Sequence, residues 1–212
     1  MTLTTLVLIL CALVVGVSLV WRAAARHWSL PCPSWLVPLL ENPYFEAVAG
    51  AQTVLNRAGV RPGMAVLDAG CGPGRLTLPA AERVGPAGRV VALDIQARMI
   101  ERLRRRLHAQ GIANVETVLA GLGAGQLPAE TFDVALLVTV LGEIPDKARA
   151  LREIHDALRS GGILSVTEVL PDPHYQAVAR VRALATAAGF REQQLCAGVV
   201  SFTMNFVKDG TA

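Results

Sequence analysis

From residue 41 onward, short apolar runs that fit β-strands alternate with stretches of helical periodicity, and this alternation restricts the fold most. Such alternation predicts parallel β-α-β units, and two nearly contiguous strands at the end predict an antiparallel hairpin. We therefore expect an α/β domain with a doubly wound, mostly parallel, seven-stranded sheet. The predicted strands are Ala65–Asp68, Val90–Leu93, Val115–Leu119, Phe132–Leu141, Ile163–Val169, Glu192–Val199 and Phe202–Val207, and the predicted helices are Pro43–Ala58, Leu76–Val84, Gln96–Gln110, Lys147–Leu158 and Gln176–Ala188.

The segment AVLDAGCGPGRLT places three glycines, Gly70, Gly72 and Gly74, directly after the first predicted strand. Glycine destabilises regular structure, so its clustering at this point needs a reason. Ligands of open α/β sheets bind just beyond the carboxyl ends of the strands, where this loop lies. We expect the glycines to leave bare backbone for a ligand, and the start of the next helix to favour negative charge.

Two classes of ligand fit such a loop, a dinucleotide or S-adenosylmethionine. The dinucleotide fingerprint needs a small residue where this chain has Arg75, and the carboxylate of Asp68 would repel a pyrophosphate. The same carboxylate would attract the ammonium group of an amino-acid-like cofactor. Asp94, at the end of the second strand, can accept hydrogen bonds from ribose hydroxyls or simply cap the next helix. The residues therefore favour S-adenosylmethionine.

Four segments in order resemble motifs of the class I S-adenosylmethionine-dependent methyltransferases, especially the small quinone- and lipid-modifying type. They are VLDAGCGPG, VVALDIQARMI, FDVALLVTVLGEIPD and ALREIHDALRSGGILSVTE. The resemblance runs from Asn42 to the C-terminus. It implies a Rossmann-like sheet and S-adenosylmethionine as the cofactor.

The resemblance also implies which residues bind the cofactor. The loop residues line its methionine half, Asp94 takes the ribose, and the remaining contacts surround the adenine. The third-strand motif departs from the family because AGLGAGQLP carries no acid to accept from the adenine amino group, so a backbone contact is expected instead. The full set is Asp68, Ala69, Gly70, Cys71, Gly72, Asp94, Ile95, Met99, Leu122 and Gly123.

Candidate acceptor-side residues follow the fourth and fifth strands. Glu143, Glu168, His174 and Tyr175 could each act as a base or orient an amine, thiol or hydroxyl. The simpler interpretations are that Glu143 caps a helix and that His174 is an ordinary surface residue. We expect a small or lipophilic acceptor, such as a phospholipid headgroup, a quinone or a thiol. The alternative is a non-catalytic, membrane-tethered module that binds the cofactor or a partner protein.

The segment Leu3–Trp21 contains no charged residue and would form a helix about 28 Å long, close to the hydrocarbon thickness of a bilayer. A cleaved signal peptide is the alternative, but no basic residue precedes the apolar run. We expect a transmembrane anchor over 1–22, an interfacial connector over 23–42 with a short helix near Ser34–Leu40, and a methyltransferase domain over 43–212. Arg22 and Arg26 place that domain in the cytoplasm, and we expect a bacterial inner membrane.

Charge and cysteine content exclude other classes of function. A net charge of +3 is too small to indicate nucleic acid as a partner. The four cysteines are scattered, so neither a disulfide framework nor a metal site is expected. Arg98, Arg102 and Arg105 share one helix face, which is either solvated or directed at anionic lipid.

Overall fold

A computed structural model describes residues 2, 5–6, 8–10, 12–13, 15–17, 20, 24, 43–170 and 172–210. Within this part of the chain, no helix is long and apolar enough to cross a bilayer. Ten of the 22 residues of the expected anchor, and nearly all of the connector expected over 23–42, lie outside the described residues. The expected interfacial helix near Ser34–Leu40 lies wholly outside them.

The domain is built on the seven-stranded sheet that the alternating pattern predicts. The strands are β1 (Ala65–Ala69), β2 (Arg89–Asp94), β3 (Val115–Leu119), β4 (Phe132–Val138), β5 (Leu158–Val169), β6 (Phe190–Ala197) and β7 (Ser201–Lys208). Their order in the sheet is β3-β2-β1-β4-β5-β7-β6, and every neighbouring pair is parallel except those that involve β7. The expected C-terminal hairpin is confirmed, with β6 at the edge of the sheet.

In the described part of the domain, six helices pack on the two faces of the sheet. They are α1 (Pro43–Ala49), α2 (Ala51–Arg57), α3 (Thr77–Val84), α4 (Ala97–Gln110), α5 (Lys147–Ala157) and α6 (Val178–Ala187). The first two were expected as one helix over Pro43–Ala58, but Gly50 between them adopts an extended conformation and ends α1. One face packs against α1 to α4, and the other against α5 and α6.

Strand β4 ends earlier than its apolar run predicts. The strand stops at Val138, and Thr139 has a positive φ of 55°, which an apolar pattern does not reveal. A short 3-10 turn over Leu141–Glu143 follows. β5 begins at Leu158, five residues before the predicted start, and includes a bulge opposite Phe132 and Val134.

The central strands are buried on both faces, so their side chains supply much of the stability. We expect Leu136→Ala, in the middle of β4 where the side chain is fully buried, to lower the free energy of unfolding by about 2–5 kcal/mol. Leu119→Ala is the matched control, because that side chain is 55% exposed and should cost about 0.5 kcal/mol or less. Urea unfolding followed by circular dichroism measures both; equal losses would contradict this packing.

Candidate active site

The parallel strands all end at one edge of the sheet, here called the carboxyl edge, and the predicted site residues lie along it. The glycine-rich loop follows β1, and Asp94 is the last residue of β2. Glu143 follows β4, and Glu168 lies one residue before the end of β5. β1 pairs with β2 on one side and with β4 on the other. The cofactor candidates and the acceptor candidates therefore lie on neighbouring strands, as the sequence predicts.

The three loop glycines serve different purposes. All have a positive φ, of 78° at Gly70, 53° at Gly72 and 98° at Gly74. A Cβ at Gly70 would overlap the Val140 side chain, and one at Gly74 would overlap Leu103, whereas a Cβ at Gly72 would meet open space. The expectation of bare backbone open to a ligand is thus wrong for Gly70 and Gly74, which are glycines because side chains pack against them. It fits Gly72.

Backbone hydrogen bonds tie this loop to β2. The amides of Gly70 and Cys71 both donate to the carbonyl oxygen of Leu93, at 2.7 and 3.0 Å. Asp94 adds two more, because Oδ2 accepts from the Gly72 amide at 2.9 Å and Oδ1 from the Gln96 amide at 2.8 Å. Burial raises the pKa of Asp94, and these two amides oppose the shift. Asp94 therefore shapes the loop, and each of its oxygens keeps a lone pair for a further donor.

Asp68 lies in β1, just before the loop, and Cys71 lies within the loop; both are buried. Asp68 is 2% exposed, and its Oδ2 accepts a 2.6 Å hydrogen bond from the Thr77 hydroxyl. Burial raises the pKa of Asp68 to about 6, although the Thr77 hydrogen bond and the charge of Arg75 lower it. The Arg75 guanidinium donates to the Ala49 carbonyl oxygen at 2.7 Å and so fastens α1 to the loop. Ala69 is buried within β1.

The residues expected around adenine differ in how much surface they offer. Ile95 is 62% exposed just beyond β2, but Met99 is buried at 2%. The amide of Gly123 donates to the Glu153 carboxylate, so that N–H is already used. Leu122 is partly buried and packs against the core. Ile95 and the backbone at Leu122 thus remain the candidates with surface or groups for a planar ring.

Glu153 is a residue that the sequence analysis missed. Besides the Gly123 amide, its carboxylate accepts from the amides of Gln126 at 2.7 Å and Leu127 at 3.2 Å. One side chain on α5 therefore holds the loop after β3 through three backbone donors. In the sequence, Glu153 is an ordinary polar position of a helix. Only the shortage of acceptors in a glycine-rich loop could have indicated that another element supplies one.

The turn after β4 is strained and packs tightly against the rest of the site. Thr139 is β-branched, and its φ of 55° lies in a region that such residues rarely adopt. The turn presses Val140 against Gly70 and places Gly142 against the backbone of His174, where a Cβ would overlap the carbonyl oxygen. Strain of this kind costs roughly 1–3 kcal/mol and persists where packing enforces it.

Three of the four predicted acceptor-side residues form one cluster. Nδ1 of His174 lies 3.8 Å from Oε1 of Glu143 and 3.7 Å from Oδ1 of Asp172. Asp172 also accepts from the His174 amide at 2.6 Å. Tyr175 instead packs edge to face on Phe202, with ring centroids 6.0 Å apart. Glu143 and His174 are thus part of a buried polar cluster and not the helix cap and surface residue of the simpler interpretations.

Glu168 is the most unusual member of this side of the site. It is 1% exposed; Oε2 accepts from the Gln176 amide at 3.2 Å, and among the described residues Oε1 has no hydrogen-bond partner. Burial raises the pKa of Glu168 to about 8; the carboxylates of Asp172 and Glu143 add to the shift, while the Gln176 amide and Lys147 oppose it.

Asp172 and Lys147 were not predicted as members of this cluster. Lys147 begins α5 and donates to the Ile144 carbonyl oxygen at 2.7 Å. Its own pKa is lowered, first by burial and then by the charge of Arg180, with Glu168 acting in the opposite direction. Asp172 follows β5 within PDPHY, beside the predicted His174, so its position could have been inferred from that neighbour.

A sequence profile of the family described as "Methyltransferase domain" matches residues 61–199. The chain is also 41% identical over 112 residues to the ubiquinone/menaquinone biosynthesis C-methyltransferase UbiE of Hydrogenovibrio crunogenus, which covers 52% of this chain and 44% of the relative. It is 33% identical over 123 residues to the nocamycin O-methyltransferase of Saccharothrix syringae, covering 58% and 44%. The chain thus spans less than half the length of these curated relatives.

The fold agrees with solved structures. A crystal structure of a SAM-dependent methyltransferase from Aquifex aeolicus superposes with a TM-score of 0.78 at 21% identity, covering 84% of this chain and 100% of the other. The profile match extends over both the cofactor loop and the acceptor-side cluster. The chain belongs to the methyltransferase-domain family, and its fold is that of the solved S-adenosylmethionine-dependent methyltransferase.

Proposed function

We propose that this enzyme methylates a membrane-soluble acceptor of the quinone class whose ring carries an ionisable hydroxyl. The observation that carries the proposal is the buried carboxyl of Glu168, whose Oε1 has no partner among the described residues. A buried acceptor atom of this kind is costly unless a donor reaches it. The hydroxyl of a reduced quinone ring would supply that donor. The UbiE relatives, whose name refers to quinone biosynthesis, support the same class of acceptor.

The residues around the glycine-rich loop fit the cofactor. Gly72 borders open space, Asp94 keeps acceptor capacity toward the two ribose hydroxyls, and Ile95 offers an exposed apolar surface for adenine. We assign Asp68 to the methionine end, where its buried charge favours an ammonium group. When bound, S-adenosylmethionine supplies a methyl group on a positively charged sulfur, so the protein must orient and activate the acceptor.

Glu168 is the base in this proposal. Its carboxylate takes the proton of the acceptor hydroxyl through Oε1, which leaves an oxyanion that makes the ring more nucleophilic. Lys147, close enough to influence the pKa of Glu168, offsets the negative charge of the pair. Glu143 and Asp172 hold His174 beside this position. Three carboxylates disfavour an anionic phosphate, so a phospholipid headgroup suits the cluster less well than a neutral ring.

We also propose that the N-terminal segment anchors the enzyme in a membrane. Leu3–Trp21 contains no charge. Each described residue from 5 to 20 is helical and exposed, which in water would leave many apolar side chains uncovered. Arg22 and Arg26 follow the segment and favour a cytoplasmic domain by the positive-inside rule. An anchor would keep the active site close to an acceptor dissolved in the bilayer.

The decisive experiment incubates the detergent-solubilised full chain with methyl-radiolabelled S-adenosylmethionine and total membrane lipid. We expect label in the organic phase, in a species that disappears when the quinones are oxidised before the reaction. Label in the organic phase that is unaffected by oxidation would indicate a phospholipid. Label found only in water-soluble products would contradict a lipophilic acceptor.

Glu168 as the base predicts a specific pH dependence. A base works in its ionised form, and because the pKa of Glu168 is raised to about 8, kcat/KM should rise with pH and level off above about 8. Glu168→Gln should lower kcat by about a hundredfold or more and abolish that rise. Glu101→Gln, at an exposed position on α4, is the matched control and should keep the wild-type profile. A variant profile that still rises near pH 8 would exclude Glu168 as the base.

Glu153 should position the loop that borders adenine. Glu153→Gln cannot accept from all three backbone donors, so we expect the Kd for S-adenosylmethionine to rise about tenfold, measured by titration calorimetry. At saturating cofactor, kcat should stay unchanged, which separates positioning from a loss of folded protein. Glu116→Gln, at an exposed position on β3, serves as control. An unchanged Kd in Glu153→Gln would show that the loop keeps its shape without this carboxylate.

A further inference from the structure

The exposed large apolar side chains of the folded domain are concentrated at the carboxyl edge. Among the described side chains of residues 43–170 and 172–210, those exposed are Tyr44, Ile95, Leu119, Leu170, Leu195 and Val199. Ile95 follows β2, Leu119 ends β3, and Leu195 lies two residues before the end of β6. Scattered exposed apolar residues need no explanation, but a concentration at one edge does. We call the five of these residues other than Tyr44 the apolar rim.

The β6–β7 turn and the segment after β5 form the most prominent part of the rim. Val199, in the turn, is 94% exposed. The amide of Leu170 donates to the Val200 carbonyl oxygen at 2.8 Å, so Leu170 is held beside that turn. Ser201 pairs with Val169 at the end of β5, which places the turn at the carboxyl edge. The apolar surface is therefore adjacent to the acceptor-side cluster that follows β5.

Exposed arginines lie on the same edge as the apolar rim, at helix N-termini, where the helix dipole disfavours positive charge. In a β-α-β unit each helix begins at the carboxyl edge, and here the first turns of α4, α5 and α6 contain the exposed arginines Arg98, Arg149 and Arg180 and no acidic residue. Cations at helix N-termini oppose the helix dipole. Exposed carboxylates on this edge are Glu46 and Asp146. Three arginines at three unfavourable termini indicate an external negative partner.

The C-terminal end of α1, the first described helix of the domain, is fastened at this same edge by two hydrogen bonds to its last carbonyl groups. The Ser201 hydroxyl donates to the Val48 carbonyl oxygen at 2.7 Å, and the Arg75 guanidinium donates to that of Ala49 at 2.7 Å. In the sequence, the apolar segment Leu3–Trp21 precedes α1.

We infer that the apolar rim and its three arginines dock on the surface of a lipid bilayer containing anionic lipid, so that the active site opens toward the membrane. The rim inserts among the lipid headgroups, and Arg98, Arg149 and Arg180 meet lipid phosphates. An acceptor would then pass from the bilayer to Glu168 without crossing water. That last consequence rests on the proposed lipophilic acceptor, whereas the docking itself does not.

Hydroxyl-radical footprinting of the full chain in phosphatidylcholine–phosphatidylglycerol vesicles tests the docking. Mass spectrometry reads oxidation of Ile95, Leu170 and Val199, with Met64 before β1 at the opposite edge as the internal control. We expect protection of the rim, relative to vesicles of phosphatidylcholine alone, with Met64 unchanged. If the segment Leu3–Trp21 is protected but the rim is oxidised equally in both kinds of vesicle, the docking proposal is wrong. That result would leave the proposed anchor and the proposed lipophilic acceptor unaffected.

Two pairs of variants separate docking from other effects. Arg98→Gln/Arg180→Gln should lower the ratio of docked to undocked domain about thirtyfold, because each arginine near an anionic surface contributes roughly a factor of five. Arg61→Gln/Arg89→Gln, exposed at the opposite edge, removes the same charge and should leave protection unchanged. Val199→Glu should abolish protection where Ala113→Glu, also at the opposite edge, does not. Equal effects of rim and control variants would overturn the inference.

Discussion

The site depends on the hydrogen bonds that join the glycine-rich loop after β1 to the end of β2. Two amides of the glycine-rich loop share the Leu93 carbonyl oxygen, and the carboxylate of Asp94 accepts two further amides. Three of these donors, the amides of Gly70, Cys71 and Gly72, fix a loop that has three positive φ angles in five residues. A loop that bends this sharply has no internal ladder to satisfy its backbone, so the neighbouring strand must do so. Asp94 therefore has a structural role, which is to hold the glycine-rich loop in its conformation.

The acceptor side differs from the cofactor loop, because some of its buried polar atoms have no hydrogen-bond partner among the described residues. β4 ends in a strained turn at Thr139, and that turn fits tightly against Gly70 and, through Gly142, against His174. This packing links the cofactor loop to the loop after β5. Within it, the carboxyl of Glu168 is buried with one oxygen unpartnered among the described residues. Rigid surroundings and an unsatisfied group together are typical of a site prepared for a ligand.

The sequence predicted the sheet and most strand positions, because apolar alternation and glycine punctuation are local signals. It missed the break at Gly50 and the early end of β4, where a single residue leaves the regular conformation without changing the apolar pattern. It proposed Glu143, Glu168 and His174 from their places near the ends of β4 and β5, and these three side chains lie near one another in the structure. It could not find Glu153, since that carboxylate lies some thirty residues from the amides it accepts. It also could not distinguish the glycines that face side chains from Gly72, which faces open space.

The protonation state of the Cys71 thiol decides whether the protein can methylate itself. A thiolate beside a sulfonium methyl donor would be a competing nucleophile, and the enzyme would alkylate itself. Burial raises the pKa of the Cys71 thiol, and the neighbouring carboxylates of Asp68 and Asp94 raise it further. The sulfur thus stays protonated and donates to the Gly72 carbonyl oxygen at 3.5 Å. The acidic surroundings of the loop therefore keep this thiol unreactive toward the methyl donor that we assign to the loop.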